Sequence, residues 1–227
     1  MLRKIALLGG DEFRPECEPV DRAVLKSTGK SSPKILIVPT AAALENPTLA
    51  SLNGISYFSN LDADASSLMV LNSADSNNQE LLKPLTESDV VYFTGGNPRY
   101  LIDVIENSVF LEQIYNVLDR GGVVAGSSAG AMILGRYMSF EGWCSGTGVA
   151  GNVVVFPHHE SRDPDTLAGK FFEESIKGIV GFGIDSQTGL LSMPLGWTVF
   201  GKGNVTVYSQ GEWVKYSDGE TISTALG

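Results

Sequence analysis

Histidine and cysteine are scarce in this chain, two of each in 227 residues. Cys17 and Cys144 are too few for a disulfide framework or a cysteine-based zinc site, and they read as two ordinary thiols. Cationic side chains are a minority, 16 Lys and Arg against 26 Asp and Glu, and the formal charge is −10. Without a basic patch, nucleic acid and anionic membrane surfaces are excluded as partners. Long apolar runs are missing as well. The run at 5–8 is too short for the core of a signal peptide, and nothing approaches the ~20 residues of a membrane span. A cytoplasmic protein is the expectation, either a monomer or a homodimer.

What is present is a core. Hydrophobic residues make up 43% of the chain. The length suits one α/β domain spanning 1–227, with no linker, repeat or low-complexity stretch to divide it. Continuous apolar runs at 4–10, 34–40, 67–71, 89–94 and 122–126 read as strands buried on both faces of a parallel sheet. Helical spacing fills the gaps at 19–27, 48–61, 78–85, 98–106 and 109–118. Pro98 follows Asn97 at a first helical turn, where proline is tolerated. This alternation predicts an α/β fold, a three-layer sandwich whose mostly parallel central sheet is flanked by helices. The last third differs. It reads as a strand at 149–156, a helix at 165–177, a strand at 178–184 and then short strands separated by glycines. Asp218-Gly219 is a hairpin signal. These C-terminal strands are expected to extend one edge of the sheet in antiparallel fashion.

The sequence Val123-Val124-Ala125-Gly126-Ser127-Ser128-Ala129-Gly130-Ala131 runs an apolar strand into a turn of very small residues. Gly126 to Gly130 fits Gly-x-Ser-x-Gly, the nucleophile elbow, in which a strained strand-to-helix turn exposes a serine hydroxyl. Such a serine needs a base. The two histidines, His158 and His159, both follow the strand that ends near 156, the end of a sheet where α/β sites lie. Acyl transfer also needs donors for the developing oxyanion. The N–H of Ala129 is one candidate, and the Thr94-Gly95-Gly96-Asn97 turn offers a second. Gly9-Gly10-Asp11 lacks the spaced glycines of a dinucleotide site. The acidic stretch 160–165 reads as a solvated loop, so no cofactor and no metal are expected.

The ordered segments FTGGN (93–97), GSSAGA (126–131), PHH (157–159) and GFGID (181–185) resemble the peptidase E and cyanophycinase family of serine peptidases. The resemblance covers about residues 4–210. It implies a class I glutamine-amidotransferase-like sandwich and a serine, histidine and glutamate in that chain order. It further implies Ser128 as nucleophile, His158 as base, and Gly96 and Ala129 as oxyanion donors. In the α/β-hydrolase arrangement the acid precedes the histidine and would have to come from 129–157, where Glu141 is the only carboxylate, whereas the family's order leaves Glu160, Asp163, Asp165 and Asp185 available. An amidotransferase proper uses cysteine at the elbow, where this chain has Ser128.

In the family's glutamate position this chain has Ser186. Asp185 is the expected acid, with Glu160 and Ser186 as alternatives. The candidate substrate contacts are Gly95, Asn97, Arg99 and Arg162, with Arg14 as a further cation. The resemblance implies a serine peptidase hydrolysing short peptides, as a dipeptidase or peptidase E-like enzyme, through an acyl-enzyme on Ser128. A cyanophycinase-like hydrolase is an alternative. A catalytically weak or silent module binding a small ligand or partner in the same cleft is another.

Overall fold

The computed structural model describes residues 3–174 and 178–223. Its main sheet has eight strands. Five run parallel: β1 (Lys4–Leu8), β2 (Lys34–Val38), β3 (Asp64–Ser67), β4 (Val90–Phe93) and β5 (Val123–Ser127). They lie in the order β3-β2-β4-β5-β1, and beyond β1 come β10 (Thr188–Met193), β11 (Gly196–Gly201) and β14 (Thr221–Ser223), all antiparallel. The expected antiparallel extension is therefore present, on the β1 edge.

Side chains alternate across β1. Ala6 and Leu8 join Val20, Val24 and Phe58 in one core, while Ile5 and Leu7 join Leu101, Phe110 and Ile133 in the other. Burial on both faces is why these strands read as unbroken apolar runs. The first core is covered by α1 (Glu18–Ser27) and α2 (Pro47–Ser59). The second is covered by α4 (Pro98–Ile105), α5 (Val109–Asp119) and α6 (Ala129–Leu134).

A second sheet, which the sequence did not announce, has four strands in the order β13-β12-β9-β8. These are β8 (Val153–Phe156), β9 (Val180–Ile184), β12 (Val205–Ser209) and β13 (Glu212–Tyr216). One of its faces packs on α7 (Pro164–Glu174) through Phe156, Phe171 and Tyr208. The other, with Val155, Phe182 and Val207, merges into the main core. A short hairpin, β6 (Tyr137–Ser139) and β7 (Trp143–Ser145), lies between elbow and second sheet in sequence.

Three local expectations shift. The strand expected at 67–71 lies at 64–67, because pairing with β2 begins at Asp64. Leu68 and Val70 are buried beyond the strand's end. The helix expected at 78–85 is a single turn, α3 (Gln79–Leu82), and continues as a 3-10 turn containing Pro84, a residue that cannot extend an α-helical ladder. Asp218-Gly219 joins β13 to β14, which belong to different sheets, so it closes no hairpin. Gly219 N–H donates to Val199 O and Asp218 Oδ1 accepts from Gly201 N–H, so β11 captures the turn. The last three residues of the helix expected at 165–177 lie outside the described residues. No helix among the described residues is long and apolar enough to cross a membrane.

Candidate active site

The parallel strands β1, β4 and β5 end side by side, with Leu8 opposite Ser127 and Phe93 opposite Gly126. Three small-residue turns therefore meet at one edge: Gly9-Gly10, Gly95-Gly96 and Ser128. Ser128 has φ 49° and ψ −112°, a strained conformation for a side-chain-bearing residue, between the end of β5 and the start of α6. Its N–H donates to Leu8 O at 3.0 Å. The flanking glycines are steric requirements. A Cβ on Gly126 would lie 2.4 Å from the Gly130 backbone, and one on Gly130 would lie 2.5 Å from Phe93 O.

His158 arrives from β8. It has left-handed backbone (φ 51°, ψ 44°) and its N–H donates to Gly9 O at 2.9 Å. Its ring lies on Gly10, where a Cβ would come within 2.1 Å of the ring's Cε1. The ring bridges two hydroxyls, with Nε2 3.1 Å from Ser128 Oγ and Nδ1 2.9 Å from Ser186 Oγ. Ser186 in turn donates to Glu160 twice, from Oγ to Oε1 at 2.7 Å and from its N–H to Oε2 at 2.8 Å.

The order of these bonds fixes the protons. A hydroxyl has one hydrogen, and Ser186 gives it to the carboxylate. Ser186 Oγ must then accept from Nδ1–H of His158, which leaves Nε2 as the acceptor for the Ser128 hydroxyl. That is the tautomer a general base requires.

Asp185, the expected acid, is not in this chain of bonds. Its Oδ2 accepts from Asn204 N–H at 2.8 Å, and its Oδ1 lies 3.8 Å from Nδ1 of the other histidine, His159. Asp185 and Ser186 lie past the end of β9, in the connection to β10. There Ser186 reaches His158, while the Asn204 N–H holds the Asp185 carboxylate on the His159 side. His159 is 3% exposed and pairs its Nε2 with the Tyr208 hydroxyl at 2.7 Å.

The family model described as peptidase family S51 matches residues 5–177. The chain belongs to peptidase family S51. It is accordingly a serine-type peptidase. It is 23% identical over 218 residues to a cyanophycinase of Geminocystis herdmanii, covering 89% of this chain and 79% of that protein. Among solved structures it is similar to a peptidase from an acI-B1 actinobacterium, with a TM-score of 0.85 and 27% identity over 98% of this chain and 97% of that one. A putative peptidase E protein from Listeria monocytogenes EGD-e shares the fold, with a TM-score of 0.63 and 15% identity over 98% of this chain and all of that one.

Electrostatics act in opposite ways on Glu160 and His159 in this S51 site. Partial burial pushes the Glu160 carboxyl up. The two hydrogen bonds from Ser186 and the nearby His158 outweigh it and hold Glu160 below the usual carboxylate range. Burial depresses His159, against the pull of Asp185, so that ring stays neutral.

Two cavities flank Ser128. One, of about 450 Å³, is lined by Glu12, Arg14, Glu45, Asn53 and Gly95. The other, of about 320 Å³, is lined by Met132, Phe140, Phe156, Ser161 and Arg162. Gly96 and His158 border both.

Two expected substrate contacts point elsewhere. Asn97 Oδ1 caps α4 by accepting from Tyr100 N–H at 3.0 Å, and Arg99 pairs with Asp103 on the helix surface at 3.3 Å. A helix starting at Pro98 recruits both: its free N–H groups take the Asn97 cap, and Asp103 lies one turn beyond Arg99. Gly95 and Gly96 lie in the cleft, and the Gly95 N–H goes to Glu12 Oε1 at 2.7 Å. Ala129 opens α6, so its N–H has no preceding helical carbonyl to bond. Among the described residues no cluster of three or more His, Cys, Asp or Glu side chains is placed to hold a metal ion. Glu12 was not foreseen from sequence. The available signal was the Gly9-Gly10 turn before it, which repeats the strand-end pattern of Gly95-Gly96.

Proposed function

We propose that the chain hydrolyses short peptides, dipeptides among them, through an acyl-enzyme on Ser128. His158 Nε2 takes the hydroxyl proton as Ser128 Oγ attacks the substrate carbonyl carbon. The N–H groups of Gly96 and Ala129 receive the oxyanion. His158 then passes the proton to the leaving amine as the C–N bond breaks. A water repeats the attack, giving its proton to His158, and the ester opens to free acid and Ser128. Ser186 holds the His158 tautomer. The Glu160 charge acts on the imidazolium through the Ser186 hydroxyl, so a serine and a more distant glutamate do what one carboxylate does in a simple triad.

The observation that carries this reading is the unbroken run of hydrogen bonds from Ser128 through His158 and Ser186 to Glu160. A silent module has no need of a strained serine aligned on such a run. Arg14 in one cavity and Arg162 in the other are the candidate anchors for substrate carboxylates on either side of the scissile bond. Both cysteines are unpaired, which supports a reducing, cytoplasmic setting.

A fluorophosphonate probe tests the proposal. Wild type and Ser127→Ala are expected to label and Ser128→Ala is not. A dipeptide library should identify turnover lost in the same variant. Folded wild-type protein that neither labels nor cleaves any dipeptide would be a ligand-binding module instead.

A further inference from the structure

The relay described above makes no use of Glu12, whose carboxylate reaches both turns that frame Ser128. Oε1 accepts from Gly95 N–H at 2.7 Å, and Oε2 accepts from Ser127 Oγ–H at 2.9 Å. Gly95 precedes the oxyanion donor Gly96, and Ser127, fully buried, precedes the nucleophile. One side chain thus ties the end of β4 to the end of β5.

The glycine turn is held from its far side too. Asn97 N–H donates to Ala41 O at 2.8 Å. Gly96 therefore sits between two tethered N–H groups, at φ 135°, with its Cβ position only 2.3 Å from Ala41 O. Among the described residues no acceptor takes the Gly96 N–H, and Gly96 borders both cavities.

The loop that delivers Glu12 is strained. Asp11 and Phe13, on either side of it, have φ of 57° and 64°, following Gly10 at 134°. A bulky residue at positive φ is a backbone outlier that persists only when its surroundings impose it. Here the Phe13 ring packs on Tyr92 at 5.4 Å, Tyr57 at 5.9 Å and Phe58 at 6.0 Å, and the Cys17 thiol bonds Asp11 O at 3.2 Å. Anchored on both sides, the loop holds the Glu12 side chain toward the two turns.

We propose that Glu12 is a positioning residue that sets the oxyanion-binding turn against the nucleophile, a role that rests on the acyl-enzyme reading above. Its negative charge opposes an oxyanion nearby, so its value lies in its two accepted hydrogen bonds. A glutamine keeps both contacts without the charge, its carbonyl accepting from Gly95 N–H and its amide donating to Ser127 Oγ with the direction of that bond reversed.

The experiment measures the rate of fluorophosphonate labelling at Ser128 against probe concentration, since the phosphonyl oxygen occupies the oxyanion position. Displacing a reacting geometry by even 1 Å is costly. Glu12→Ala is expected to lower the maximal labelling rate by about tenfold or more, with the half-saturating concentration unchanged. Glu12→Gln should stay within about threefold of wild type, and Ser127→Ala should fall between the two. Glu12→Ala at the wild-type rate, Glu12→Gln as slow as Glu12→Ala, or a change confined to half-saturation would overturn the proposal. If Glu12→Ala does not fold, a wild-type rate in Ser127→Ala or a tenfold loss in Glu12→Gln overturns it equally. Wild type that takes up no probe removes the acyl-enzyme reading itself, a result distinct from these.

Discussion

The parallel sheet and the small sheet supply the site in different ways. The parallel sheet gives short turns: Gly9-Gly10, Gly95-Gly96 and the Ser128 elbow, each encoded by contiguous residues and aligned by the register of β1, β4 and β5. The small sheet gives a base and its partners that converge from separate segments. His158 lies 28 residues from Ser186, and Ser186 lies 26 from Glu160. The nucleophile is thus built by local strain, whereas the base is built by long-range packing. The two adjacent histidines make the contrast sharpest, since His158 spans the cleft between the sheets and His159 is sealed inside the smaller one.

The strongest way to break this comparison is to replace the two histidines separately. His158→Gln is expected to lower turnover by about 10³-fold or more, because Ser128 loses its base. His159→Phe should keep most of the activity and lose stability instead, since it leaves the buried Tyr208 hydroxyl without its partner, at a cost of about 1–3 kcal/mol. Turnover with each variant and its thermal midpoint check the pair. Equal loss of activity in both would mean that the small sheet does not separate the two roles.

The same contrast governs how much could be read in the residues. The elbow was legible because Gly126, Ser128 and Gly130 each answer a local steric demand. The strand order's antiparallel extension was legible in the short glycine-punctuated C-terminal strands. The second sheet was not, because β8 and β9 are apolar runs that fit either sheet, and only tertiary packing assigns them. The choice among Asp185, Glu160 and Ser186 stayed open for a related reason. Asp185 stands beside the family's position in sequence, but the Asn204 N–H holds its carboxylate on the His159 side. Glu160, only two residues beyond His158, comes into play through a hydroxyl on another segment. Glu12 was hidden because its partners are 83 and 115 residues away.

A smaller effect separates the candidate acids. Glu160→Gln and Ser186→Ala are expected to lower turnover by about tenfold to a hundredfold, within the usual range for support of a general base, and Asp185→Asn by less than about twofold. The pH dependence has a definite sign. The Glu160 carboxyl is held below its ordinary value, so its contribution is complete above the ordinary carboxylate range. It is lost only as pH falls through the lowered value. The ratio of wild-type to Glu160→Gln turnover should therefore stay constant above the ordinary carboxylate range and shrink only as pH falls through that lowered value. A larger loss from Asp185→Asn than from Glu160→Gln would return the acid to Asp185.

The smallest effect on catalysis, expected to be none, comes from a carboxylate that reverses Glu160 in every respect. Asp21, on α1, is fully buried, and neither of its oxygens finds a hydrogen-bond partner among the described residues. Burial pushes it up to about 8 from an unfolded value of 3.8. The nearby Tyr57 hydroxyl works the other way and Glu12 adds to the rise. Between those two values the folded chain holds a proton that the unfolded chain has released. Stability therefore falls as pH rises through that window, by up to about 1.4 kcal/mol per pH unit, and levels off above the upper value, where both states are ionised. Asp21→Asn removes the titration while keeping the shape. Against wild type it should gain thermal stability steadily from about pH 4 to about pH 8 and hold that gain beyond, with turnover unchanged. A stability difference independent of pH would mean that Asp21 is ionised in the fold. Glu160 and Asp21 would then no longer be opposites, one carboxylate kept charged by two donors and the other kept neutral by burial.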